Sequence, residues 1–139
     1  MGIGQVLPLV TRALKPCEEE TLIIIEEPES HLHPAAHGNL AELFVKSLDQ
    51  GNKKYFIETH SLNFVLRLRK LVAQKKLNAK DLVIYYVDFD EEKNNSRLEE
   101  IEVDKFGRVS KWPDGVFSET LDETIAIRTA QIDDPQYGN

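Results

Sequence analysis

The sequence predicts an α/β fold: a mostly parallel sheet flanked by helices, followed by a small C-terminal β-hairpin and a helix. Three observations support this fold class. Apolar segments at 22–25, 54–58 and 82–87 read as strands. The first two are each followed by a segment with helical spacing, and this β-α-β-α-β order predicts right-handed crossovers and parallel pairing. After residue 88 the sequence becomes polar and then alternates, as exposed hairpins do.

The N-terminal elements follow from local signals. Residues 5–14 predict a short helix with Pro8 in its first turn. Residues 22–25 are apolar on both faces, as expected of a central strand buried under helices. Pro34 opens a helix that reaches about Leu48. Ser61, after the strand at 54–58, predicts a helix cap.

The C-terminal part predicts a separate small region. Residues 82–87 predict a third buried strand of the parallel sheet, and 88–96 a polar turn. Residues 97–104 alternate like an exposed strand, for which 106–110 is the predicted hairpin partner. The remaining predictions are an aromatic turn at 112–117, a final helix at 119–132 and a tail from 133. The predicted domains are therefore 1–90 and 91–139.

Composition narrows the function classes. The chain has 139 residues, a net charge of −7 and no apolar segment long enough for a membrane span or signal peptide, so a cytoplasmic location is expected. Its one cysteine, Cys17, excludes a disulfide framework and reads as a spectator thiol. The negative charge opposes nucleic-acid binding unless a local basic patch exists. The candidate patch, which more simply reads as a solvated helix face, is Arg67, Arg69, Lys70, Lys75, Lys76 and Lys80.

A pair of carboxylates after the first strand carries the main functional prediction. Glu26 and Glu27 end that strand, and His60 follows the next one. Ligands of open α/β sheets lie at such strand ends, and neighbouring side chains leaving a strand point in opposite directions. We therefore predict that Glu26 holds Mg²⁺ through water and that Glu27 polarises the attacking water. His60 is predicted to hydrogen-bond the γ-phosphate of ATP.

Two metal sites are alternatives. His31, His33 and His37 could chelate zinc from a turn. Asp88 and Asp90, with Glu58, are similar to the Mg²⁺ ligands of nucleases of the topoisomerase-primase type.

These residues resemble the ABC-type ATPase heads, in the branch with the overcoming-lysogenization-defect nucleases, RecF and SMC-like proteins. Residues 22–27 match the Walker B motif, 30–33 the D-loop, and His60 the switch histidine. Residues 2–8 are similar to a degenerate signature motif, with Gly4 where a serine is usual. The resemblance implies a P-loop NTPase fold with ATP and Mg²⁺ as cofactors. The nucleotide-contacting residues that it implies are Gly2, Gly4, Gln5 and Ser30.

The sequence contains no phosphate loop of the form G-x-x-x-x-G-K-S/T. The resemblance places that Walker A element upstream, so we expect this chain to be the C-terminal portion of a larger ATPase and to be inactive alone. Its expected partners are a second head or a Walker A-bearing half in a head-to-tail dimer, and DNA through the full-length protein in repair or phage defence. We also expect self-association through an uncovered strand edge.

Two other functions remain open: a non-catalytic docking module and a metal-dependent nuclease. Residues 112–117 resemble a tryptophan-proline-x-glycine element in an uncharacterised C-terminal extension of some bacterial ATPases of this branch.

Overall fold

The computed structural model describes residues 3–113 and residue 116. Contacts divide them into two units, one of residues 3–83 with 103–108 and one of residues 84–102 with 109–113 and 116. No helix within these residues has the length and apolar character needed to cross a bilayer. The elements are α1 (Ile3–Leu14), β1 (Thr21–Glu26), α2 (Pro34–Leu48), β2 (Lys53–Glu58), α3 (Leu62–Ala73), a 3₁₀ turn (Ala79–Asp81), β3 (Ile84–Asp90) and β4 (Asn95–Ile101).

The first unit is built on a parallel strand pair. β1 and β2 pair with Thr21 opposite Lys53 at one end and Glu26 opposite Glu58 at the other. α2 lies between them in the sequence and supplies the crossover that parallel strands need. The predicted parallel α/β arrangement is confirmed for these two strands, and the register brings their carboxyl ends to one edge.

One face of this strand pair packs on the helices. The buried core combines residues of α1, β1, α2 and α3, and the Phe44 ring lies 5.0 Å from Tyr55 and 6.1 Å from Phe64, centroid to centroid. The other face is uncovered in this unit, because Leu22, Ile24 and Phe56 are 60%, 66% and 61% exposed. The prediction that β1 is buried on both faces is therefore wrong, since the helices of this unit pack on one side only.

Local signals set the helix ends. α2 begins at Pro34 after His33, whose Nδ1 accepts a hydrogen bond from the Ala35 amide. Ser61 caps α3 as predicted, with Oγ accepting from the Phe64 amide at 3.1 Å. α1 begins at Ile3, so Pro8 lies inside the helix and not in its first turn. Its final turn is held by the buried Lys53 ammonium, which donates to the Ala13 carbonyl where the helix dipole is negative.

The third predicted strand lies in a different sheet. β3 pairs antiparallel with β4, from Ile84 opposite Ile101 to Asp90 opposite Asn95. Residues 82–87 do not join the parallel sheet, so that expectation is wrong. The predicted hairpin between 97–104 and 106–110 is confirmed only near its turn, where the Asp104 amide donates to the Arg108 carbonyl at 2.8 Å and the Ser110 amide to the Glu102 carbonyl at 3.0 Å. The residues before this turn pair with β3 and not with 106–110. The physical reason is the short polar connection 91–94, which lets the chain return beside β3 at once.

Residues 104–108 instead form a tight turn in the first unit. The Asp104 carboxylate accepts from the amides of Phe106 and Arg108 at 2.8 and 2.9 Å. Hydrogen bonding from the Arg108 amide is the main cause that lowers the pKa of Asp104. Gly107 adopts φ 74°, and a Cβ there would lie 2.3 Å from the Arg69 carbonyl oxygen. Glycine is therefore required where this turn meets α3.

Several predictions fall outside the described residues: the final helix at 119–132, the tail, residues 114, 115 and 117 of the predicted turn, and Gly2. The predicted boundary between residues 90 and 91 stays a prediction.

Candidate functional site

The site lies at the carboxyl edge of the parallel pair. The register places Glu26 opposite Glu58, and the Glu27 amide continues the pairing by donating to the Glu58 carbonyl at 2.8 Å. Glu27 then has φ 41°, a left-handed conformation that is unfavourable for a residue with a Cβ. Such backbone strain persists only where surrounding contacts enforce it, and it concentrates at functional sites.

Glu27 and His60 meet at this edge. Glu27 Oε1 lies 3.3 Å from His60 Nε2, and Glu58 Oε1 lies 4.0 Å from the same nitrogen. The side chains of Glu27 and His60 are 49% and 76% exposed, so water screens their attraction and the pair adds little to stability. The arrangement leaves a carboxylate and an imidazole that are adjacent, open to solvent and able to meet a ligand.

Glu26 is exposed and lies two residues after Ile24 and four after Leu22 along β1, which assigns it to the same uncovered face. Among the described side chains, no three His, Cys, Asp or Glu residues converge into a metal cage. A divalent ion at Glu26 would therefore need oxygen ligands from water or phosphate, a coordination that Mg²⁺ commonly adopts.

The structure describes residues of the alternative metal sites with other partners. His37 is engaged through both ring nitrogens, with Ser61 and with the Leu32 carbonyl. Asp88 pairs with Arg97 at 3.3 Å and Asp90 with Lys93 at 3.5 Å. The zinc hypothesis thus gains no support from the geometry of the described residues. The nuclease alternative stays a prediction.

The turn after β1 is shaped by its own hydrogen bonds. The Ser30 amide donates to the Glu27 carbonyl and the Leu32 amide to the Glu29 carbonyl, both at 2.9 Å. His31 adopts φ 71° between them. Two tight turns in succession leave Ser30 exposed next to the Glu27 main chain.

Sequence reasoning missed Glu29, which is only 7% exposed. Its Oε1 accepts hydrogen bonds from Thr59 Oγ1 at 2.5 Å and from the His60 amide at 3.0 Å. Its Oε2 is buried, and no donor among the described residues reaches it. An unsatisfied buried acceptor costs about 1–3 kcal/mol. The only sequence signal was a third glutamate in the E-E-P-E run, which does not distinguish a buried from an exposed position.

His37 and Ser61 make a second connection between the same segments, also missed from the sequence. His37 Nε2 lies 3.2 Å from the Leu32 carbonyl, which only accepts, so Nε2 carries the proton. In the neutral ring Nδ1 then accepts from Ser61 Oγ at 2.7 Å. The turn after β1 is therefore joined to the start of α3 independently of Glu29.

The structure describes residues 2–8, which are similar to a signature motif, only in part. Gly4 lies in α1, with open space where a Cβ would be. Gly2 and the Gln5 side chain lie outside what the structure describes. Roles for Gly2, Gly4, Gln5 and Ser30 in nucleotide binding therefore stay predictions, whereas Glu27, Glu58 and His60 are brought together.

The candidate basic patch of residues 67–80 does not form one continuous surface of unpaired cations among the described residues. Arg67 forms a 2.6 Å ion pair with Glu42, and the hydrogen bond from Arg67 is the main cause that lowers the pKa of Glu42. Arg69 Nε donates to the Gly107 carbonyl at 2.9 Å. Both arginines thus stabilise the fold, and the exposed cations that remain are Lys70, Lys75, Lys76 and Lys80.

Two family models match the chain. A model described as an AAA domain, named for an AbiEii toxin of a type IV toxin–antitoxin system, matches residues 1–67. A model described as a protein of unknown function (DUF3696) matches residues 77–126. No curated protein matches. The first match supports an ATPase-type region of the AAA and P-loop class over residues 1–67, and in general the use of a nucleotide with Mg²⁺.

Proposed function

We propose, from the ATPase-type region at residues 1–67, that this chain supplies the hydrolytic half of an ABC-type ATPase head. The observation that carries the proposal is the 3.3 Å contact between Glu27 and His60 at the carboxyl edge of parallel strands. A carboxylate and an imidazole in contact, both open to solvent, suit the positioning of a water beside a phosphoryl group.

The roles divide among three residues. Glu27 accepts a hydrogen bond from the attacking water and orients it. His60 donates a hydrogen bond to the terminal phosphate. Glu26, exposed on the uncovered face, holds water ligands of Mg²⁺, which when bound neutralises phosphate charge. Gly2, Gly4, Gln5 and Ser30 contact nucleotide in this proposal.

The uncovered face of the β1–β2 sheet is the reason for proposing a binding partner. Leu22, Ile24 and Phe56 are each at least 60% exposed on this face. Large apolar side chains on one face mark an interaction site, and the given sequence has no phosphate loop. We propose that a Walker A-bearing half or a second head contributes both the phosphate loop and the missing cover.

The proposal extends to the biological setting of the protein. A cytoplasmic role in phage defence is one setting, proposed from the resemblance to the branch with the overcoming-lysogenization-defect nucleases. DNA repair, with DNA bound by the full-length protein, is the other setting that the resemblance suggests. The net charge of −7 argues that DNA contacts would lie outside this chain.

Calorimetry of Mg²⁺-ATP binding tests the proposal. The 139-residue chain alone is expected to give no heat, because it lacks the lysine and amide cradle for phosphates. An added upstream half with a phosphate loop should restore binding. Binding by the chain alone would contradict the proposed division of the site.

A second candidate is a non-catalytic docking module, which the uncovered apolar face also favours. In this case the chain would bind the phosphate-loop half and leave the rate of ATP hydrolysis by that half unchanged. Equal ATP hydrolysis by the phosphate-loop half with and without this chain would support it over the first proposal.

Self-association tests the uncovered face itself. Without a partner the chain should self-associate, because burying Leu22, Ile24 and Phe56 removes apolar area from water. Light scattering at rising concentration should show larger species, and Ile24→Lys should return the chain to monomer. Leu98→Lys, an equally exposed leucine of β4, is the control. A strictly monomeric parent chain would contradict this expectation.

A further inference from the structure

Glu29 joins the turn after β1 to the main chain that carries His60. Its Oε1 accepts from Thr59 Oγ1 at 2.5 Å and from the His60 amide at 3.0 Å. Thr59 Oγ1 in turn accepts from the Ser61 amide at 3.0 Å, so its hydrogen is free to point at Glu29. Three consecutive residues before α3 are thus held by hydrogen bonds that end on one carboxylate oxygen.

Stability alone does not account for a carboxylate at this position. The Glu29 side chain is 7% exposed, and Oε2 lies buried with no donor in reach among the described residues. Burying a carboxyl group with an unsatisfied oxygen opposes folding. The contacts that set Glu29 apart are the two hydrogen bonds that Oε1 accepts from the segment after β2.

The side chain of His60 depends on that support. Its imidazole is 76% exposed, and the carboxylates of Glu27 and Glu58 lie 3.3 Å and 4.0 Å from its Nε2. Water-screened contacts of this kind do not fix a side chain. Its position relative to Glu27 is therefore set mainly by where the main chain of residues 59–61 runs.

We propose that Glu29 is a positioning residue, which holds the main chain of Thr59 and His60 and thereby sets the His60 imidazole against Glu27. This inference rests on the proposed function, because it concerns the same pair of residues. Ser30 follows Glu29 in the same turn. A nucleotide or partner that shifts Ser30 therefore shifts His60 as well, which couples partner contact to the hydrolytic pair.

The two variants that test this inference are expected to fold. Leu32, His37 and Ser61 join the same two segments without Glu29. Glu29→Gln keeps an oxygen acceptor for Thr59 and His60, whereas Glu29→Ala removes it. Glu19→Ala, at an exposed glutamate before β1, is the matched control.

Nuclear magnetic resonance of the isotope-labelled 139-residue chain gives the first readout. In Glu29→Ala we expect exchange of the His60 amide hydrogen to accelerate about tenfold relative to the Phe56 amide of β2. The cross-peak between the His60 ring and the Glu27 side chain should disappear. Glu29→Gln and Glu19→Ala should keep both features. Equal acceleration at His60 and Phe56, or an unchanged His60 in Glu29→Ala, would overturn the inference.

The second readout is ATP hydrolysis by the chain combined with a phosphate-loop half. Glu29→Ala should lower kcat about tenfold at unchanged KM, and Glu29→Gln should restore it. Full kcat in Glu29→Ala would overturn the inference. Absence of hydrolysis in the parent, together with loss of the His60 features in Glu29→Ala, would contradict the proposed function and leave the positioning of His60 by Glu29 supported.

Discussion

Both units of the chain have exposed ion pairs, but among the described residues the buried charged side chains, Glu29 and Lys53, belong to the first unit. In the first unit Glu29 is buried and its Oε1 accepts two hydrogen bonds within the turns that follow β1 and β2. In the second unit the charges of the β3–β4 hairpin form solvent-exposed ion pairs, such as Arg97 with Asp88 and Lys111 with Glu99. Exposed pairs fix little, whereas a buried network fixes the residues around it. This difference is consistent with the proposed site at the carboxyl edge of β1 and β2, next to Glu29.

Two phenylalanines, one in each unit, give a contrast in burial that can be tested. The first unit buries Phe64 to 1% exposure, whereas Phe89 of β3 is 56% exposed. Phe64→Ala should lower the free energy of unfolding by about 3–5 kcal/mol, because it leaves a cavity in the core. Phe89→Ala should change it by less than about 1 kcal/mol. Urea unfolding followed by circular dichroism checks both, and equal effects would contradict the assignment of the core.

Two glycines of the first unit test its backbone conformation, because a Cβ would meet a different environment at each of them. Gly107→Ala should destabilise the chain by about 1–3 kcal/mol, because its φ is 74° and a Cβ would meet the Arg69 carbonyl. Gly4→Ala in α1 should instead stabilise by up to about 1 kcal/mol, since a Cβ there meets open space. The two melting temperatures should move in opposite directions. A tolerated Gly107→Ala would show that the 104–108 turn does not pack on α3.

A smaller effect on stability is expected when Glu29 loses its hydrogen bond from Thr59. Thr59→Val removes a hydroxyl that donates to Glu29 and should cost about 1–2 kcal/mol, because the carboxylate loses one of its two donors. Thr11→Val removes the hydroxyl bond to the Leu7 carbonyl on exposed α1 and should change stability by less than about 0.5 kcal/mol. Denaturant midpoints measure the difference. If Thr59→Val lowered stability no more than Thr11→Val, the hydrogen bond from Thr59 to Glu29 would not stabilise the fold.

The smallest effect is a dependence on pH. Hydrogen bonding from the Arg108 amide lowers the pKa of Asp104, so its ionised form favours the folded chain. That contribution is fully present above the ordinary aspartate pKa of about 3.9 and is lost as pH falls through the lowered value. Asp104→Asn should therefore be less stable than the parent at pH 7, and this deficit should shrink below pH about 4. A constant difference across the titration would refute the assignment.

Local patterns predicted the first unit well. The apolar runs of β1 and β2, Pro34 at the start of α2 and the Ser61 cap are each encoded within a few residues. Parallel pairing then brings Glu26 and Glu58 to one edge, so the meeting of these strand ends could be predicted from the sequence. These signals need no knowledge of distant contacts.

The rest depended on contacts between distant residues. The alternation of residues 84–90 indicates a strand but not its partner, which the short 91–94 connection decides. The burial of Glu29 against Thr59, thirty positions apart, leaves no periodic signal in the sequence. Backbone conformations such as the positive φ of Glu27 are likewise set by the surrounding fold.

The most direct test of the proposed function is ATP hydrolysis by the chain combined with a phosphate-loop half. We predict Mg²⁺-dependent turnover that needs both parts and falls at least about a hundredfold in Glu27→Gln, which keeps the shape of the side chain but removes its negative charge. Glu91→Gln, in the exposed hairpin connection, should hydrolyse ATP like the parent. Full turnover by Glu27→Gln would contradict the role of Glu27 at this edge.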